Sequence, residues 1–150
     1  MPSPENPHEI KKELEFLLHI KHETALLDSQ IHELATAAAK IYLKKIHKHL
    51  EWTTPPDPNA SGRDIEGHLS GNLTVHAEVK TMEPKKGIYK PNQKEKIHED
   101  LYKLQESSAT SKYFFVLDDD SKTAIMDMHK EKLEGLGITV LTINECLKYN

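Results

Sequence analysis

Apolar residues recur every three or four positions through the first third of the chain. Ile10, Leu14, Leu17, Leu18 and Ala25 form one such stripe, and Ile31, Leu34, Ala35, Ala38, Ile41, Ile46 and Leu50 form a second. That spacing is the period of an amphipathic helix and predicts two of them. Pro7 opens the first at a favoured initial position, and the chain re-caps near Asp28 and Ser29. The stretch TTPPDPNASG, residues 53–62, reads as a loop because its prolines bring no amide donors. Two strands are predicted at roughly 63–69 and 72–82, joined through Ser70-Gly71-Asn72, which is hairpin chemistry. After the loop EPKKGIYKPN, residues 92–106 read as a helix with Ile97, Leu101 and Leu104 inward. KYFFVL (112–117) is a buried strand, 121–135 a helix stopped by Gly135 and Gly137, ITVLTI (138–143) a last buried strand, and a short helical tail follows. The order ααββαβαβ predicts an α/β fold with a mixed sheet covered by helices on both faces.

At 150 residues the chain is expected to form one domain, with 1–28 as an N-terminal helical extension and 29–150 as the core. The formal charge of −4 argues against a protein that coats nucleic acid with a uniformly basic surface, so any such contact must come from a local patch. Cys146 is the only cysteine, which excludes a disulfide framework and suits a cytoplasmic setting. No apolar run approaches the roughly 18 residues of a membrane span. MPSPENP lacks the basic-then-apolar character of a signal peptide.

The stretch DIEGHLSGNLTVHAEVKTM, residues 64–82, breaks the pattern expected of a strand that only has to fold. Residues two apart share a strand face, so His76, Glu78 and Lys80 point one way, while Val75, Ala77 and Val79 point the other. A carboxylate on a half-buried strand is costly unless it is paired or binds a cation. Asp64 opens the partner strand, where its carboxylate can lie close to that of Glu78. Two such groups repel unless a cation sits between them. Oxygen ligands with spare water positions suit Mg²⁺, with Mn²⁺ as a substitute, and point to phosphoryl chemistry. Lys80 would position or activate the attacking water. The spacing acid-x-Lys is uninformative alone, since Glu9/Lys11, Glu83/Lys85 and Asp120/Lys122 also show it, but in predicted helix or loop. The plain alternative for Glu78 and Lys80 is a surface ion pair on an exposed strand face.

GRDIEG followed by HAEVKT resembles the PD-(D/E)XK nuclease superfamily, the restriction-endonuclease-like fold. There an Asp sits on one strand of a hairpin and the next carries Glu-x-Lys, here Asp64, Glu78, Lys80 and the following Thr81. The family's usual Pro before the Asp is replaced by Arg63. The family core runs αβββαβ, so one of its strands has no counterpart in this pattern. The resemblance spans roughly 29–143. It implies a metal held by Asp64 and Glu78, with Lys80 assisting. Members such as archaeal Holliday-junction resolvases carry a Glu on the helix before the hairpin, then an aromatic residue and a Ser-Gly. Glu33, Trp52 and Ser61-Gly62 match those places. Gln93 matches a residue that many members use to hold the scissile phosphate or the water.

Lys80, Lys85, Lys86, Lys90, Lys94 and Lys96 lie in one run opposed only by Glu83 and Glu95. Lys85, Lys86, Lys90 and Lys94 are therefore candidate contacts to a DNA backbone; KKIHKHL (44–50) is a second basic patch. The ten histidines form no evident ligand set, Trp52 and Tyr113 read as core, and Asp118–Asp120 read as a helix cap. The resulting expectation is a Mg²⁺-dependent DNA endonuclease, first a small type II restriction enzyme, acting on double-stranded or branched DNA as a homodimer with two symmetric sites. The short chain leaves little room for a base-reading domain, and the acidic balance is unusual for a binder of branched DNA. A junction resolvase or repair nuclease, and a non-catalytic nucleic-acid-binding or scaffold module on the same fold, stand as alternatives.

Overall fold

Phe114 and Phe115 are neighbours in one strand, yet each is fully buried in a different core. Successive strand side chains point to opposite faces, so a strand apolar at both positions requires helices above and below the sheet. The computed structural model describes residues 6–21, 27–53 and 62–149. His22, Ala25, Ser61 and most of the 53–62 loop lie outside the described residues, as does the Pro-rich start.

The described elements run α1 (Pro7–Lys21), α2 (Asp28–Ile46), β1 (Glu51–Thr53), β2 (Ile65–Leu69), β3 (Asn72–Lys80), α3 (Pro91–Glu106), β4 (Ser111–Val116), α4 (Asp119–Gly135), β5 (Ile138–Thr142) and α5 (Ile143–Lys148). The five strands form one sheet in the order β1-β2-β3-β4-β5. β1, β2 and β3 are an antiparallel meander. β3, β4 and β5 run parallel, with α3 and α4 as crossovers. The fold is thus α/β, a mixed sheet between helical layers. No described helix is long and apolar enough to cross a membrane.

One core lies on the α1, α2 and α5 side. There Ile10, Leu14, Ile31, Ala35, Ala38 and Leu43 meet Ile65, Val75, Ala77, Val79 and Phe115. The other lies under α3 and α4, where Ile97, Leu101, Leu104 and Ile125 cover Phe114, Val116 and Val140. Each fully buried side chain of this size contributes about 1.5–3 kcal/mol relative to exposure. Through Ile10 and Leu14, α1 is part of the same core as the sheet rather than set apart from it. Asp118 caps α4, its Oδ1 accepting from the Ser121 N–H at 2.9 Å. Tyr113 stacks on Phe115 at the border of the first core.

β1 is the strand the sequence pattern lacks. Three residues next to a proline-rich stretch carry too little alternation to be read as a strand, and pairing with β2 makes them one. Trp52 of β1 is half-buried and lies across Gly67 of β2. The β2–β3 hairpin closes through Ser70 (φ 51°) and Gly71 (φ 79°), both left-handed as a tight two-residue hairpin turn requires. The register slips by one residue next to Gly67 and His68, leaving Thr74 of β3 as a bulge.

Gly67 is the position least able to accept a side chain. A Cβ there would lie 3.0 Å from Trp52 Cζ3 and 3.1 Å from Leu50 Cδ1. Gly67→Ala is expected to lower stability by about 1–3 kcal/mol, as overpacking does, measured by urea unfolding with the single tryptophan as fluorescence probe. An unchanged midpoint would show that the indole yields its place freely.

Candidate functional site

The register Ile65↔Ala77 and Glu66↔His76 sets the geometry. One step further along the same ladder, Asp64 comes opposite Glu78. Directly opposed residues of an antiparallel pair point to the same side of the sheet, here the side that carries His76 and Lys80. Phe114 and Val116 of β4, the neighbours of Glu78 and Lys80, continue that face into the second core. The polar row of β3 therefore lies beneath α3 rather than in solvent. Glu78 is only 1% exposed and His76 is fully buried, which removes the reading of Glu78 as half of a surface ion pair.

Glu78 Oε1 lies 2.9 Å from His76 Nε2. Glu78 Oε2 and His76 Nδ1 are buried without a hydrogen bond. Burial first, and the facing Asp64 carboxylate second, push the Glu78 carboxyl up to about 9. Burial likewise pushes His76 down to about 4. At neutral pH, with no cation present, both groups are neutral. His76 then donates from Nε2 to Oε1, and its bare Nδ1 faces no donor.

Asp64 is held in place from the other side. Its Oδ2 accepts from the Val79 N–H at 2.8 Å, and His32 Nε2 approaches it at 3.8 Å while lying 3.1 Å from Val79 O. Burial acts to raise the Asp64 carboxyl, but His32 and the Val79 N–H outweigh it, and Asp64 ends below its ordinary value. The nearby Asp64 carboxylate holds His32 above its own ordinary value, against burial. The two facing carboxyls are thus driven apart: Asp64 anionic, Glu78 neutral.

Lys80 pairs with Asp100, which α3 presents on its buried side. Lys103 lies 3.4 Å from Asp100 Oδ1 and 3.5 Å from Gly62 O. Burial works against the Lys103 charge, but Glu78 and Asp100 together hold its ammonium above the ordinary value. Asp100 thus bridges two ammonium groups at the edge of the site. A neighbouring half-buried trio, Arg63 just before β2 and Glu66 and His68 on it, links up at 2.8 and 3.0 Å.

The structure brings together Asp64, Glu78 and Lys80. Glu33 is not with them: it is exposed on α2, about 100° round the helix from His32, and His32 occupies the place expected of it. The reason is helical phase, since α2 buries Ile31, Leu34, Ala35 and Ala38 and leaves His32 on the flank nearer the sheet. Gln93 closes the first turn of α3, its Oε1 accepting from the Lys90 N–H at 2.9 Å, and makes no direct contact with the carboxylates. Lys85, Lys86, Lys90 and Lys94 are all exposed on the loop after β3 and the start of α3. Three participants were not singled out from the sequence. Asp100 had a signal, an acid at the i+3 place in the Ile97, Leu101, Leu104 stripe. Lys103 and His32 had none beyond adjacency. Comparison with protein-family models, with curated proteins and with solved structures finds no match to this chain.

Glu78 and His76 pull the pH dependence of stability in opposite directions. The folded chain keeps a proton on Glu78 that the unfolded chain releases above 4.5, so stability falls as pH rises toward about 9. The unfolded chain binds a proton on His76 below 6.5 that the folded chain refuses down to about 4, so stability rises with pH across that window. They oppose each other between 4.5 and 6.5; above 6.5 His76 no longer contributes, and Glu78 is joined by His32, whose raised value makes stability fall with pH in the same direction. In metal-free buffer the unfolding free energy is expected to fall from pH 6.5 toward 9, with Glu78 contributing at most about 1.4 kcal/mol per pH unit. Glu78→Gln should flatten that limb in urea titrations. Equal slopes for the two proteins would mean that the Glu78 carboxyl ionises as if in water.

Proposed function

We propose that this protein is a metal-dependent DNA endonuclease that hydrolyses phosphodiester bonds at the Asp64–Glu78 pair. The observation that carries this reading is the β2–β3 register, which sets two carboxyls opposite each other on the face that also bears Lys80. The run α2-β1-β2-β3-α3-β4 also has the αβββαβ order of the restriction-endonuclease-like core that the Asp…Glu-x-Lys pattern resembles.

The donor set fits a hard divalent cation. Glu78 Oε2 is a buried carboxyl oxygen with no hydrogen bond, and Asp64 is held anionic beside it. Among the described residues no three His, Cys, Asp or Glu side chains form a ready ligand cage. Mg²⁺ does not need one, because it takes one or two protein carboxylates and fills its other positions with water and phosphate oxygens. Asp64 and Glu78 would hold the ion, Mg²⁺ or Mn²⁺, and when bound it supplies Lewis acidity and a more acidic water. His76 occupies Oε1 and so leaves Oε2 for that task. Asp100 keeps the Lys80 ammonium on the site face, where it offsets charge developing on the phosphate. His32 and the Val79 N–H keep Asp64 from turning away. The exposed lysines after β3 give the acidic chain a local surface for a phosphate backbone.

The test is digestion of supercoiled plasmid with Mg²⁺ or Mn²⁺. Cleavage is expected, with Glu78→Gln and Lys80→Ala each reducing the rate by at least about 100-fold, the scale of removing one transition-state interaction. Discrete fragments mark a small type II restriction endonuclease, the first reading. Cutting confined to four-way or damaged substrates marks a resolvase or repair nuclease. A folded protein that cuts neither DNA nor RNA with either metal would overturn the enzymatic reading in favour of a binding or scaffold module.

A further inference from the structure

The loop that leaves β3 carries a feature that the site does not use. Lys85 and Ile88 exchange backbone hydrogen bonds, each 3.0 Å, across a two-residue turn. Lys86 (φ 52°) and Gly87 (φ 75°) are both left-handed there, as in a type I′ turn. The first central position of such a turn favours Asn, Asp or Gly, and Lys86 stands there instead.

Ile88 is 65% exposed, while the next residue, Tyr89, is 1% exposed in the second core. The Tyr89 hydroxyl donates to Met82 O at 3.5 Å across the base of the loop. The tip is therefore pinned from behind and cannot fold Ile88 inward. Three lysines, Lys85, Lys86 and Lys90, lie within three residues of Ile88, and all three are exposed. A contrast within the chain is Leu69, also exposed beside a hairpin turn, which has no lysine or arginine within three residues. An exposed aliphatic side chain on a tight turn, with exposed lysines on both sides of it in the chain, matches the apolar wedges that proteins insert between base steps of a duplex, with basic residues on the flanking phosphates. Lys80, in the site, ends β3 five residues before Lys85. The two Cα atoms therefore lie within about 18 Å, the reach of five extended residues, so one duplex can touch both.

We propose that the 85–88 turn is a wedge that inserts Ile88 at a base step of double-stranded DNA while Lys85, Lys86 and Lys90 hold the adjacent phosphates. The proposal deepens the endonuclease reading and rests on it for its substrate class. It makes the protein a binder of DNA that it kinks, so steps already loosened, at junctions, nicks or pyrimidine–purine steps, bind more tightly than a stiff duplex.

The experiment places 2-aminopurine at the central step of a duplex and at the crossover of a four-way junction, and titrates the full chain in EDTA so that no cleavage is needed. Emission is expected to rise on binding, and Ile88→Ala is expected to bind while losing most of that rise, by about fivefold or more, because an alanine cannot fill the step. The Lys85→Ala, Lys86→Ala double variant should weaken binding to all sequences alike and reduce the salt slope by about 0.9 for each phosphate that it no longer neutralises. Equal emission from wild type and Ile88→Ala, or a double variant with unchanged affinity, overturns the wedge. So does binding to phosphatidylserine vesicles with none to DNA, which would assign the tip to an anionic bilayer. Normal cleavage with no emission change removes the wedge and leaves the endonuclease. An Ile88-dependent emission rise without cleavage under Mg²⁺ removes the endonuclease and leaves the wedge.

Discussion

Burying Glu78 beneath α3 costs free energy that an apolar residue at the same place would not, and its neighbours are arranged around that cost. Transfer of an ionised carboxylate into the interior is so unfavourable that the group keeps its proton instead, as the upward displacement of Glu78 shows. One oxygen is satisfied by His76 and the other has no partner. A chain selected only for stability has easy alternatives at this position, since Val75, Ala77 and Val79 fill the opposite face of the same strand without strain. The retained cost is local, and it sits where the sheet changes from antiparallel to parallel pairing, at β3.

The surrounding elements limit that cost without removing it. α2 delivers His32 to Asp64, so that the more exposed carboxyl carries the negative charge. α3 delivers Asp100, which holds Lys80 and Lys103 close to Glu78 without saturating it. The result is a buried polar cluster whose hydrogen bonds are satisfied except at two atoms, Glu78 Oε2 and His76 Nδ1. Half-satisfied buried networks are unfavourable as structure, and in native proteins such exceptions gather at functional places.

Much of this was legible in the sequence, for physical reasons that also explain the failures. Strand period and turn chemistry are local signals, so the hairpin and the shared face of Glu78 and Lys80 could be read directly. Helix stripes gave the extents of α1 to α4 to within a few residues. β1 was not legible because three residues have no measurable period and become a strand only by pairing. Glu33 and His32 differ by one residue, a distinction finer than a stripe of apolar residues can resolve. Gln93 has the right residue type for a phosphate contact, but the same amide also serves the first turn of its helix. Asp100 stands as an acid inside an apolar stripe, but helical period alone does not say which cation it meets across the sheet.

The bulge at Thr74 gives the hairpin a parity. With Leu69 paired to Asn72 at the tip, an unbroken ladder would place Asp64 opposite Ala77; the extra residue advances β3 by one and brings Glu78 there instead. Because strand side chains alternate, that single residue decides whether the row His76, Glu78, Lys80 or the row Val75, Ala77, Val79 faces Asp64. Over evolutionary time the hairpin can grow or shrink freely in whole rungs, one residue from each strand. An odd insertion or deletion between Asp64 and Glu78 would instead turn the pocket inside out, putting valines against the carboxylate and charge into the core.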